Sequence, residues 1–546
     1  MKIPEKRLYL FLIALISLVS TLALFGGVME PDSALYASIS KNIVLNNDWL
    51  NLYVRGLDWL DKPHLTFWLA AASFKILGIN AFAYKLPSFL AGLLGAWYLY
   101  KFSKDIYNER TGILSALIFL SALHVLVSTF DVRAEIYITT FTLAAIYHYY
   151  KAHTASFWHI ILGSLFAAFA IMIKGIFVLI PVFGGFIVYW LLTKQWQQLQ
   201  KPKWWIAIAL ILIFIIPELY ALYIQFDLHP EKVVFGKTNV SGLKFFFWDS
   251  QFGRFFNNGP IKGKGDISFF LHTTLWAFLP WSVLFYTSVA NLFSKKNRVD
   301  LPAETILIWT SAAITFLLFS LSKFQLPHYI LIILPQFAII TALYIQKLEG
   351  KSLKVFSVAQ TTIFILVSVI LAAIAYFFNF DHYLFAITII AVVLIVGLLL
   401  FKGKIQETVV GRSVMISVAL MIFLSVFFYP AVLKYEAGRE AGIWLNKNYP
   451  KANAKVLMYP DAYSFDFYKN GNVEYIWHYE DLAEIKKDKN TILYIQDDDL
   501  ARLKKDFNAE VLNGFEYYHI TKLTPKFINE ESRPTVLEHF YLVRLH

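Results

Sequence analysis

The chain has 546 residues, of which 58% are hydrophobic and only 16% charged, with a net charge of +11 and no cysteine. That balance excludes a set of soluble domains, and the missing cysteines exclude disulfides, thiolate metal sites and a cysteine nucleophile. Apolar runs of about 17 to 25 residues suit helices crossing about 30 Å of hydrocarbon, twice the length of barrel strands, so an outer-membrane barrel is excluded as well.

In chain order the apolar runs fall near 8–29, 81–100, 111–129, 133–150, 157–173, 176–192, 204–224, 267–292, 304–321, 326–345, 353–378, 383–401 and 413–432. They predict an α-helical polytopic membrane protein of about thirteen spans. The first run follows a charged start but has no small-x-small cleavage pattern before Glu30, so it reads as an uncleaved span. With the N-terminus inside, alternate loops carry Lys2, Lys6 and Arg7, then Lys101, Lys104 and Arg110, and later Lys295, Lys296 and Arg298. These basic loops obey the positive-inside rule, and they explain the net charge without a nucleic-acid partner.

Two long loops, about 30–80 and 225–266, then lie outside. So does the segment 433–546, where hydropathy drops and strand-like pieces at 455–458, 491–495 and 540–545 alternate with helical pieces at 437–448, 479–487 and 499–508. The expected domains are a membrane domain over 1–432 and a small soluble α/β domain over 433–546.

The first external loop concentrates the chemistry. Leu35, Ile39 and Ile43 recur at helical spacing after Pro31 and Asp32, which predicts an amphipathic helix lying on the membrane surface. Asp32 reads equally as the start of that helix or as a functional acid. Further on, Asp61, Lys62, Pro63 and His64 set an acid and bases together before another apolar stretch. At the turn between the third and fourth spans, Asp131, Arg133 and Glu135 read either as a salt bridge shaping the turn or as a catalytic cluster. Lys174 and Lys323 fall at external span ends, where a lysine faces a polar cavity or snorkels to headgroups.

The run from Glu30 to Ser88 combines Asp32, Tyr36-Ala37-Ser38-Ile39, Asn47-Asp48-Trp49 and Asp61-Lys62-Pro63. Later stretches add Ile173-Lys174-Gly175, Arg254 after Phe246-Phe247-Trp248, Leu279-Pro280-Trp281 and Lys323-Phe324-Gln325-Leu326-Pro327-His328-Tyr329. In these motifs the chain resembles the polyprenyl-phosphate-dependent glycosyltransferases, the family of the 4-amino-4-deoxy-L-arabinose lipid A transferase and the protein O-mannosyltransferases. The resemblance covers about residues 5–345 and implies the C-type glycosyltransferase fold.

It implies a bacterial inner-membrane enzyme, acting as a monomer at the external face, that moves a sugar from an undecaprenyl phosphate donor to a glycolipid or protein acceptor. Such a transfer calls for cations on the phosphate leaving group and a carboxylate for the acceptor. The resemblance makes Asp32 the catalytic carboxylate, with Glu135 or Asp131 in support. It makes Lys62 and Arg254 the phosphate cations, with Lys174, Lys323, His328 and Tyr329 also on the donor.

Relatives often carry Asp-Glu-x-Arg after the first span, whereas this chain reads Asp32-Ser33-Ala34-Leu35 and lacks the arginine. A divalent metal near Asp61, with His64 or His272 as further ligands, is conceivable but not favoured, because near Trp248 the chain offers Asp249, Ser250 and Gln251 instead of a histidine. The rival class is a transporter or flippase of lipid-linked sugars, which needs charges on both membrane faces; here the distinctive residues gather on one.

Overall fold

A computed structural model describes residues 5–292, 301–402, 405–459 and 462–546. Lys2, Lys295, Lys296, Arg298 and Lys404 of the basic loops lie outside the described residues. Each apolar run of the sequence is helical, but the helices differ in completeness. Six described helical stretches are long and apolar enough to cross a membrane by themselves: Glu5–Phe25, Pro202–Asp227, Pro327–Lys347, Gly350–Phe378, Tyr383–Leu400 and Ile405–Tyr435. Others are shorter, or are broken where the chain turns, as between Phe269–Ala277 and Ser282–Leu292.

Local chemistry accounts for several of the boundaries. Asn80 and Asn108 each accept a backbone N–H three residues on, from Ala83 and Thr111, and so start the helices Ala81–Ile106 and Glu109–Leu120. Between helices, small residues and hydroxyls take the place of a hydrophobic driving force. Gly163 lies where an added Cβ would come within 2.8 Å of the Tyr149 ring, and Tyr149 shares a 3.1 Å hydrogen bond with Ser164. The buried Trp281 indole donates to Ser121 Oγ at 3.0 Å.

The helix after Pro31, Asp32–Asn46, is not a surface helix. Ten of its fifteen residues are buried, among them Ser33, Ser38, Ser40 and Lys41 on what the pattern makes its polar face. A helix covered all round is a core helix, and this one is held between Leu65–Leu77 and the helix Tyr463–Tyr468 near the C-terminus. Ser38 Oγ donates to the Tyr463 carbonyl at 2.9 Å, and Lys41 Nζ donates to the carbonyls of Lys469, at 2.7 Å, and Asp466. Burial pulls Lys41 down to about 8, against the attraction of Asp466. The apolar stripe of Leu35, Ile39 and Ile43 is therefore real, but the opposite face is covered by protein.

Near the C-terminus a five-stranded sheet has the strand order Val473–Ile476, Asn453–Leu457, Thr491–Gln496, Glu538–Arg544, Glu510–Tyr517. The first three strands run parallel and the last two pair antiparallel, with a register shift between Val511 and Asn513. Thr491–Gln496 lies in the middle and is buried over its first five residues, as a near-continuous apolar run requires.

Candidate active site

Asp61 ends the hairpin-bearing part of the first long loop and lies between two cations. Its carboxylate accepts from Lys62 Nζ at 2.6 Å on one oxygen and from the Arg254 guanidinium on the other. Burial alone would raise this carboxyl, but Lys62 and Arg254 outweigh it and hold it at about 2. The segment is fixed from behind by a pair that sequence reasoning did not find. Glu218 Oε2 accepts the backbone N–H of His64, and its Oε1 meets His64 Nδ1, both at 3.0 Å, while His64 Nε2 faces the Leu50 carbonyl at 3.0 Å.

A metal at Asp61 does not fit these residues. Both Asp61 oxygens are engaged by cations, both His64 ring nitrogens by protein oxygens, and His272 is exposed beside Phe269.

Lys62 and Arg254 border a cavity whose walls are mainly apolar, including Phe177, Leu222, Phe246 and Phe319. Lys174 enters the same cavity from the last turn of Trp158–Lys174, where a cation suits the helix C-terminus. Its Nζ is 4.0 Å from the Tyr329 ring centroid and 2.8 Å from Glu135 Oε1. Glu135, in the first turn of Ala134–Lys151, is 2% exposed and also faces His328 Nε2 at 3.7 Å. Lys62, Lys174 and Arg254 thus line a mainly apolar cavity together with Asp61 and Glu218, and Glu135 holds Lys174 from behind.

Gly175 sets the backbone that follows Lys174. Its φ of +100° with ψ near 180° is a conformation essentially restricted to glycine, and an added Cβ would come within 2.2 Å of the Gln251 amide. The space lets Gln251 Nε2 donate to the Lys174 carbonyl at 2.9 Å, tying the segment Phe245–Gly253, just before Arg254, to the end of the Lys174 helix. Gly175→Ala should therefore cost about 1–3 kcal/mol of stability from backbone strain alone. Thermal unfolding in detergent checks this: a melting curve unchanged from wild type would show that the loop relaxes freely.

On the other side of Glu135, Arg133 joins Asp131, at 2.7 Å, to Asp32. Arg133 is thus more than a brace within its own turn, because it reaches a residue 101 positions earlier. It supplies to Asp32 the guanidinium that the sequence after the first span lacks. Burial pushes the Asp131 carboxyl up in spite of Arg133. Asp32 opens its helix without capping it, since Pro31 holds the cap position and no side chain bonds there. The three acids differ in access: the side chain of Asp32 is 37% exposed, that of Asp131 15% and that of Glu135 3%.

Tyr36, one turn after Asp32, was not singled out by sequence reasoning. Burial, with Asp32, Glu135 and Asp61 nearby, keeps its hydroxyl well above the usual range and so protonated. Its signal was present in the Tyr36-Ala37-Ser38-Ile39 motif. His328 lines a second cavity together with Asp131, Arg133 and Glu135. Lys323 is not brought to the site. Ser322 and Phe324 line the cation-bordered cavity, whereas Lys323 between them is exposed and is not among its lining residues.

Residues 61–220 match the family described as dolichyl-phosphate-mannose-protein mannosyltransferase. An undecaprenyl phosphate-alpha-4-amino-4-deoxy-L-arabinose arabinosyl transferase of Edwardsiella ictaluri is 26% identical over 334 residues, 59% of this chain and 56% of that protein. A crystal structure of ArnT from Cupriavidus metallidurans bound to undecaprenyl phosphate superposes over 98% of both chains, with a TM-score of 0.76 at 17% identity. In fold, and in part of its sequence, the chain resembles the polyprenyl-phosphate-dependent glycosyltransferases. An uncharacterized protein of Aquifex aeolicus is also similar, 26% identical over 439 residues that cover 78% of this chain and 79% of that one. The chain spans just over half the length of the curated Edwardsiella glycosyltransferase.

Proposed function

We propose that the chain transfers a sugar from undecaprenyl phosphate to an acceptor of the bacterial cell envelope, such as lipid A, another glycolipid or a protein. The observation that carries this reading is that Lys62, Lys174 and Arg254 line one mainly apolar cavity. A prenyl chain matches the apolar walls and its phosphate matches the cations. Asp61 and Glu135 hold the three cations in place before the donor arrives, so little reorganisation is needed when charge develops on the leaving phosphate.

In this reading Lys62 and Arg254 take the phosphate, and Lys174 stabilises it from the tyrosine side. Asp32, the most accessible of the three acids, accepts the proton of the attacking acceptor hydroxyl and is oriented by Arg133. Attack by that hydroxyl on the anomeric carbon breaks the bond to the phosphate in one displacement, with inversion. Glu135 and Asp131 act through their cations. The name of the Edwardsiella relative makes 4-amino-4-deoxy-L-arabinose the first donor sugar to test. Mass spectrometry of membrane lipids and surface glycans in a deletion strain is the test. Loss of one sugar substituent supports the reading, and an unchanged envelope inventory contradicts it.

The proposed topology has thirteen crossings, with the site and the C-terminal sheet on the periplasmic side of the inner membrane. It rests on the basic loops. A reporter active only outside the cytoplasm should be active when fused after Asn379 or at His546 and silent after Lys296; the reverse pattern would refute the orientation.

A further inference from the structure

A separate cavity lies where the start of the first external loop, the end of the last membrane helix and the C-terminal sheet meet. Glu30, Pro31, Glu436, Tyr459, Tyr517 and Glu538 are among its walls. Glu436 is 1% exposed, and its Oε1 accepts the backbone N–H of Glu30 at 2.6 Å. Its Oε2 has no hydrogen-bond partner among the described residues. Glu30 Oε1 is held by the N–H and the hydroxyl of Ser464, each at 2.7 Å.

A buried carboxyl oxygen without a donor is costly, and a second carboxyl beside it makes ionisation costlier still. Burial and Glu30 accordingly push the Glu436 carboxyl well up. Arg439, the nearby cation, is engaged by Glu440. No described side chain donates to Glu436 Oε2, although Arg439 lies close enough to favour its charge and His519 also lines the cavity; the tyrosines there suit a pyranose.

The cavity shares no lining residue with the one bordered by Lys62, Lys174 and Arg254. Pro31 in its wall is bonded directly to Asp32. The cavity is thus separate from the cation-lined one and adjoins Asp32 in the chain. We propose that this cavity is a subsite for an amine-bearing sugar of the acceptor, its ammonium group paired with Glu436 and its hydroxyls with the tyrosines. The proposal rests on the donor reading of the cation-lined cavity.

The test uses the full chain in lipid nanodiscs, with D-glucosamine as probe and N-acetyl-D-glucosamine as its uncharged counterpart, read by ligand-observed saturation-transfer NMR. Wild type should bind glucosamine at least about tenfold more tightly than the acetylated sugar, and Glu436→Gln should lose about tenfold toward glucosamine alone. The same variant should bind undecaprenyl phosphate like wild type. Equal binding of the two sugars, or an unchanged affinity in Glu436→Gln, overturns the subsite while undecaprenyl phosphate binding leaves the donor reading standing. If Glu436→Gln fails to accumulate, Glu538→Gln at the exposed rim decides, with about a threefold loss expected and an unchanged affinity overturning the proposal. Failure of wild type to bind undecaprenyl phosphate would instead refute the donor reading, and with it the assignment of this cavity to the acceptor.

Discussion

Asp32→Asn should accumulate in membranes like wild type, melt at the same temperature and lose about a hundredfold to ten-thousandfold in transfer rate, the usual effect of removing a general base. The helix that Asp32 opens does not depend on its carboxylate, because the cap position belongs to Pro31 and no side-chain cap bond is made. Asn retains an oxygen for Arg133, and Arg133 retains Asp131, so the turn keeps its bracing. What disappears is a proton acceptor at the accessible acid. Transfer at the wild-type rate would demote Asp32 to a structural partner of Arg133.

Removal of the phosphate cations should give the second large effect. Arg254→Gln and Lys62→Met should each weaken binding of undecaprenyl phosphate by about tenfold to a hundredfold, the worth of one charge-assisted hydrogen bond, with transfer falling in step. Alanine is a poor choice here. The side chains of Lys62, Asp61 and Arg254 are only 14%, 17% and 12% exposed, so these are not the freely substitutable loop residues that their sequence positions suggest. Deleting one partner of such a pair leaves the other charge uncompensated. Stability should therefore be measured beside binding, and the double variant Asp61→Asn with Arg254→Gln should recover stability without recovering the phosphate. Undiminished turnover in both single variants would remove the phosphate assignment.

The sequence carried the local facts of this molecule better than the distant ones. Apolar runs reveal helices because burial in hydrocarbon needs length and composition, both local properties. The same patterning misread the helix Asp32–Asn46. Its polar face is covered by Tyr463 and Lys469, more than four hundred residues away, and no periodicity announces that contact. In the C-terminal sheet the strands Asn453–Leu457, Thr491–Gln496 and Glu538–Arg544 were visible as apolar runs. The edge strands Val473–Ile476 and Glu510–Tyr517 were not, since an edge tolerates Glu474, Asn513 and Gly514.

Motifs pointed to Asp32, Lys62, Lys174, Arg254 and Tyr329 as candidates, but pairings across the chain were beyond reach. Nothing in the sequence joins Arg133 to Asp32 or Glu218 to His64. Asp131 and Glu135 differ in their partners, Arg133 for one and Lys174 for the other, which the sequence does not show. Lys323 belongs to a motif whose neighbours Ser322 and Phe324 line the cavity, while it is itself exposed outside that lining.

The central claim is that the cavity bordered by Lys62, Lys174 and Arg254 receives a polyprenyl phosphate through its charge. Equilibrium binding of undecaprenyl phosphate and of uncharged undecaprenol to the purified wild-type chain and to Arg254→Gln tests it most directly. The account predicts that wild type prefers the phosphate by at least about tenfold and that Arg254→Gln loses most of that preference while still binding the alcohol. Equal binding of phosphate and alcohol by wild type, or an undiminished preference in Arg254→Gln, would contradict it.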